Sequence, residues 1–111
     1  MIEEKTRLIA ISTGHSRLDP GAVRGSIKEY DLNLALTEKI TELPLIEGYA
    51  WWRSDNNCED EAYPAHLIHT VNEVNSALDI VAAVEIHHNA VDNKLAHGAQ
   101  VIYWDANIKA R

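Results

Sequence analysis

Apolar and polar positions alternate along this chain on two different periods. Residues 7–13, Arg-Leu-Ile-Ala-Ile-Ser-Thr, are rich in β-branched side chains and stop at Gly14, the pattern of a short buried strand. Residues 14–28 carry Gly14, Pro20, Gly21 and Gly25 and read as a loop, long enough in so small a protein to suggest function. Over 30–43 the period lengthens: Leu32, Leu36, Ile40 and Leu43 form one helical stripe, and Pro44 ends it. Tyr49 to Arg53 predicts a second strand, set between Gly48 and the turn-prone residues 54–57. A second helix is expected from about Tyr63 to Ala77, with Pro64 in its first turn and Leu67, Val71, Val74 and Leu78 as its stripe. Ile80 to Ile86 is nearly all apolar, as in a strand covered on both faces. After a loop over 89–98, Gln100 to Trp104 alternates and predicts a last strand.

The predicted order is strand-helix-strand-helix-strand-strand. It specifies an α/β domain with a largely parallel sheet flanked by helices. With 111 residues the chain forms one domain, residues 1–111, with no room for a second. There are no internal repeats, low-complexity tracts or linkers. The chain ends just after the last predicted strand, where an α/β unit would normally send a helix back across the sheet.

Composition narrows the function classes. Ten Lys and Arg against seventeen Asp and Glu give a net charge of -7. That argues against nucleic acid, which requires clustered positive charge, and against adhesion to anionic membranes or wall polymers. Cys58 is the one cysteine, so neither an internal disulfide nor a structural zinc site with several cysteines can form. Residues 1–5 are polar and acidic, with no apolar core of a secretory signal, and no segment is apolar for long enough to span a membrane. The expected place of synthesis is a cytosol, with any role outside it depending on a separate release route.

Three potential metal ligands fall just past the carboxyl ends of strands or at a helix start, where α/β sheets collect functional groups. His15 follows the first strand, Glu29 opens the first helix and His87 closes the apolar strand. Two imidazoles and one carboxylate suit a catalytic zinc ion with a fourth position left for water. The intervals carry no local signature, and position alone favours structural or exposed histidines.

Longer stretches carry more. Ser12-Thr13-Gly14-His15-Ser16-Arg17-Leu18-Asp19-Pro20-Gly21-Ala22-Val23 resembles the first motif of the zinc-dependent N-acetylmuramoyl-L-alanine amidases of the bacterial wall, the amidase-3 family, in which a Gly-His pair precedes Asp-Pro-Gly-Ala. Lys28-Glu29-Tyr30-Asp31-Leu32-Asn33-Leu34 is similar to that family's Glu-x-x-x-Asn-Leu helix start. Trp52-Arg53-Ser54-Asp55 loosely resembles its Thr-Arg-x-x-Asp stretch, with the Asp one place early. Glu85-Ile86-His87-His88-Asn89-Ala90 is similar to its Ser-Ile-His-x-Asn-Ala strand end, and Gly98 to Trp104 to the Gly-x-x-Val-Tyr-Tyr strand that follows. The five matches run in the family's order over nearly the whole chain.

The resemblance implies His15, Glu29 and His87 as ligands of Zn2+. It implies peptidoglycan as substrate, cut at the amide between N-acetylmuramic acid and L-alanine. A bound zinc acidifies water and polarises a carbonyl, and a carboxylate must then move the proton to the leaving amine. Family members place that Glu on a strand near the C-terminus, after one more helix, and this chain stops before it. The expected fold is thus amidase-3-like, lacking its C-terminal helix and strand. Glu85 is the internal candidate for the catalytic role, since it shares a strand face with His87 at about 6.6 Å along the chain. The plain alternative is a tolerated replacement of the family's Ser.

Other residues read more plainly. His88 points away from His87 and fits a groove or packing role. His66 and His69 read as a solvated helix face, and His97 as a loop residue. Asp19 shapes the turn into Pro20-Gly21. Glu59, Asp60 and Glu61 charge a helix start and disfavour Cys58 as a nucleophile. Residues 14–25 lack the Gly-Lys-Ser/Thr ending of a phosphate-binding loop.

Three functions follow as expectations. The first is a zinc amidase of a phage lysin or bacterial autolysin, made in the cytoplasm and acting on the cell wall after release. The second is a non-catalytic zinc- or muropeptide-binding module derived from the same fold. The third is an unrelated α/β domain. If the chain is complete, bare apolar sheet surface favours homo-oligomers.

Overall fold

The computed structural model describes residues 5–54, 62, 64–90 and 98–102. The readings placed on Cys58, Glu59, Asp60, Glu61 and His97 lie outside the described residues. The element order is β1 (Arg7–Thr13), β2 (Val23–Arg24), β3 (Ile27–Lys28), α1 (Glu29–Thr41), β4 (Tyr49–Arg53), α2 (Ala65–Ser76) and β5 (Ile80–Ile86). β1 is central, with β4 on one side and β5 on the other, all parallel. The expected α/β domain with a parallel sheet and two helices is therefore present. No helix among the described residues is long and apolar enough to cross a membrane.

Four details differ from the pattern read along the chain. Residues 14–28 contain a small antiparallel hairpin, β2 with β3, turned at Gly25 with φ of 61°. Two-residue turns of this kind need positive φ, which glycine adopts at little cost. The second difference is the inward face of α1. It buries Glu29, Tyr30, Asn33 and Thr37, while Leu32, Leu36 and Leu43 stay exposed. The buried polar groups are matched to partners: Thr37 Oγ1 donates to the Asn33 carbonyl, and Thr13 Oγ1 donates to Thr37 Oγ1. A hydrogen-bonded polar stripe can thus displace an apolar one from a helix–sheet contact.

The third concerns coverage of β5. Its residues from Val81 to Glu85 are exposed, so Ile80–Ile86 is not covered on both faces. A cleft of about 220 Å3 lies between Leu67, Val71 and Val74 of α2 and Ala83 and Val84 of β5. The fourth concerns the last predicted strand: Gln100, Val101 and Ile102 lie in no strand, and Tyr103 and Trp104 fall outside the described residues. The apolar core centres on Ala10 and Ile11 of β1 and Tyr30 of α1.

Candidate metal centre

The register of β1 and β5 builds the site. Thr13 pairs with Ile86, and the Gly14 N–H continues the ladder by donating to the Ile86 carbonyl at 2.9 Å. The next residues on each strand are therefore brought together at the sheet's carboxyl edge. His15 and His87 meet there edge to face, ring centroids 5.0 Å apart. His15 adopts φ of 67°, a left-handed conformation unusual outside glycine, and a tight turn over Ser16–Asp19 follows it. The hairpin then delivers the chain to α1, whose first residue is Glu29.

Glu29 lies between the two rings. Its Oε1 is 3.3 Å from His15 Nε2 and its Oε2 is 3.0 Å from His87 Nδ1. Ligand atoms of His15, Glu29 and His87 all fall within 4.8 Å of one another. A tetrahedral zinc with bonds of about 2.0–2.2 Å separates its ligands by roughly 3.3 Å, so the spacing and the donor types suit such an ion. The structure thus brings together all three residues that the sequence singled out.

The carboxylate is buried yet charged. Burial alone would raise its pKa, but hydrogen bonds from His87, from Asn33 Nδ2, and from the backbone N–H groups of His88 and Ala22 outweigh that effect and lower it to about 2. Burial alone would lower the pKa of His87, but Glu29 and Glu85 together hold it above its ordinary value. Glu85 shares the face of β5 with His87, and its Oε2 lies 3.1 Å from His87 Nε2. The side-chain alternation read from sequence therefore places Glu85 beside the centre.

Two glycines leave the room. A Cβ on Gly14 would stand 2.5 Å from His87 Cε1, and one on Gly21 would stand 2.6 Å from His15 Cδ2. Asn33 is fully buried one helical turn after Glu29. Its Nδ2 donates to the Gly14 carbonyl and to Glu29, and its Oδ1 accepts from His88 Nδ1 at 2.7 Å. His88 is therefore a packing residue against α1, one of the two roles expected for it. The supporting role of Asn33 was missed; its signal was the spacing of four from Glu29.

One expectation is corrected outright. His66 does not lie on a solvated face: it is the buried residue of α2, and its Nε2 donates to Asp19 Oδ2 at 2.9 Å. That bond satisfies the buried ring, while Leu67 and Val71 of the apolar stripe stay exposed. His69 is partly exposed and pairs with Glu73 one turn on. Asp19 shapes its turn as expected, its N–H donating to Ser16 Oγ, and also reaches toward the site.

With the geometry in place, comparison with known proteins supplies the family. The family model described as N-acetylmuramoyl-L-alanine amidase, amidase-3, matches residues 9–111. No curated protein and no solved structure matches the chain.

Proposed function

The chain belongs to the N-acetylmuramoyl-L-alanine amidase family, and on that footing we propose that His15, Glu29 and His87 hold zinc for hydrolysis of the amide between N-acetylmuramic acid and L-alanine in peptidoglycan. The observation that carries the reading is the convergence of these three side chains at the carboxyl edge of β1 and β5, within 4.8 Å. Bound zinc would supply an acidified water and a polarised scissile carbonyl. Glu29 contributes a full negative charge at neutral pH, which favours a divalent cation over an empty site. Asn33 and the His88 N–H fix its Oε2, so the carboxylate is oriented before any ion arrives.

Cleavage breaks the amide C–N bond, leaves a hydroxyl on the carbonyl carbon and puts a proton on the departing nitrogen. Among the described residues outside the ligand set, Glu85 is the carboxylate within hydrogen-bond distance of a ligand ring. We assign it the proton transfer, from the attacking water to the amine of L-alanine. Its contact with His87 Nε2 also favours the second reading, a zinc- or muropeptide-binding module without turnover, because a carboxylate engaged in holding a ligand histidine is less available to a water.

Digestion of peptidoglycan by the purified chain separates the two. With zinc present, new L-alanine amino termini are expected, and a chelator abolishes them. Glu85→Gln is expected to retain zinc and lose about 100-fold or more in turnover. Zinc bound one to one without any release of termini would establish the binding module and remove Glu85 from the chemistry.

A further inference from the structure

The buried imidazole of His66 has no part in the ligand set, yet it ends on the site. Its Nε2 lies 2.9 Å from Asp19 Oδ2, and the same oxygen lies 3.8 Å from His15 Nδ1. His15 turns its other nitrogen, Nε2, toward Glu29 at 3.3 Å. One carboxylate oxygen therefore stands between two imidazoles, one from α2 and one from the candidate metal centre. We propose that Asp19 and His66 are a positioning pair for His15: His66 anchors Asp19, and Asp19 fixes the tautomer and orientation that aim His15 Nε2 at the metal. The inference rests on the zinc-site reading above.

A neutral imidazole carries one proton, and a metal needs the lone pair of the other nitrogen. A carboxylate facing Nδ1 favours the proton there and leaves Nε2 free to ligate. At 3.8 Å the interaction with His15 is an ion-pair distance rather than a hydrogen bond, so the position of Asp19 must be held by something else. Two groups hold it. The Asp19 N–H donates to Ser16 Oγ and the Ser16 carbonyl, and His66 fixes the side chain. His15 itself has left-handed backbone geometry, whose ring direction depends on that same turn. His66 is the buried residue of α2, and its bond to Asp19 joins α2 to the motif loop. On the other side of the site Glu85 meets His87 Nε2, so each ligand histidine has a carboxylate behind it.

The test is calorimetric zinc titration of the chelator-stripped full chain, wild type against His66→Leu, His66→Gln and Asp19→Asn, with thermal melts of each. Glutamine can place an N–H donor near the position of Nε2, whereas leucine cannot. We expect His66→Leu to weaken zinc about tenfold and Asp19→Asn by about 10–100-fold, with His66→Gln restoring affinity to within a few-fold of wild type. Cobalt-substituted protein should show a changed visible spectrum in Asp19→Asn and an unchanged one in His66→Gln. A merely structural His66 would lower the melting temperature while leaving the affinity of the folded protein and the cobalt spectrum as they are. That result, or a His66→Gln variant no better than His66→Leu, overturns the inference. If His66→Leu does not fold, Asp19→Asn and His66→Gln decide alone: wild-type affinity in Asp19→Asn, or tenfold loss in His66→Gln, overturns it. A wild-type chain that binds no zinc would instead bring down the metal-site reading and this inference together.

Discussion

Replacing Gly14 with alanine puts a methyl carbon 2.5 Å from His87 Cε1, 2.6 Å from the Ile86 carbonyl oxygen and 2.7 Å from His87 Nδ1. The first contact is about 0.9 Å short of ordinary van der Waals separation. The Ile86 oxygen is backbone and accepts the Gly14 N–H, so it cannot withdraw without opening the ladder. His87 must move instead. A site of this kind tolerates about 0.5 Å of ligand displacement, so most of the zinc affinity should go, on the order of 100-fold or about 2.7 kcal/mol. Overpacking should also cost about 1–3 kcal/mol of stability. The control is Gly25→Ala, where a Cβ meets nothing within 4 Å but the backbone has φ of 61°. It should lose roughly 1–2 kcal/mol of stability and keep wild-type zinc affinity. Zinc titration and thermal melts of both variants give the comparison. A Gly14→Ala chain that binds zinc as tightly as wild type would refute the steric reasoning and the placement of His87.

Asn33→Leu should lower stability by about 2 kcal/mol or more, and zinc affinity with it, since the Gly14 carbonyl, Glu29 and His88 each lose a partner; denaturant unfolding would reveal it. In chelator, the Glu29–His87 pair sets a pH optimum. Glu29 is depressed, so its stabilisation is full above 4.5 and is lost as pH falls through about 2. His87 is raised, so its contribution is full below 6.5 and is lost as pH rises through its folded value. Melting temperatures of metal-free protein should therefore peak between about pH 4.5 and 6.5, and a maximum above pH 8 would contradict the pairing. Zinc affinity should run the other way and weaken on acidification, because His87 must give up its proton to ligate. The apolar residues left exposed on α1, α2 and β5, among them Leu36, Val71 and Val84, favour self-association, which light scattering at rising concentration would detect.

The sequence made the site more legible than the packing around it. His15, Glu29 and His87 could be picked out because two predicted strand ends and one helix start coincide with motifs that resemble the amidase-3 family; their positions alone favour structural or exposed histidines. Glu85 could be placed by the two-residue alternation of a strand, which holds whatever surrounds it. The buried face of α1 could not be read the same way. Leu32, Leu36 and Leu43 and the set Glu29, Asn33 and Thr37 both recur at helical spacing, so periodicity favours the leucines only through their apolarity; the polar set has partners on β1 and around the site, and that satisfied polar contact is the one buried. His66 was hidden for a related reason. Its partner Asp19 is 47 residues away in the chain, and no local spacing reports a pair of that kind. The hairpin at Gly25 was visible in principle, as a glycine between short β-branched flanks, but two-residue strands fall below the length at which alternation can be counted.

The central claim is that this chain holds one metal ion through His15, Glu29 and His87, and calorimetric titration of zinc into the chelator-stripped protein, wild type and Glu29→Gln, tests it most directly. One ion per wild-type chain, with binding lost in the variant, is the expected result. No binding, or binding that Glu29→Gln leaves unchanged, would contradict it.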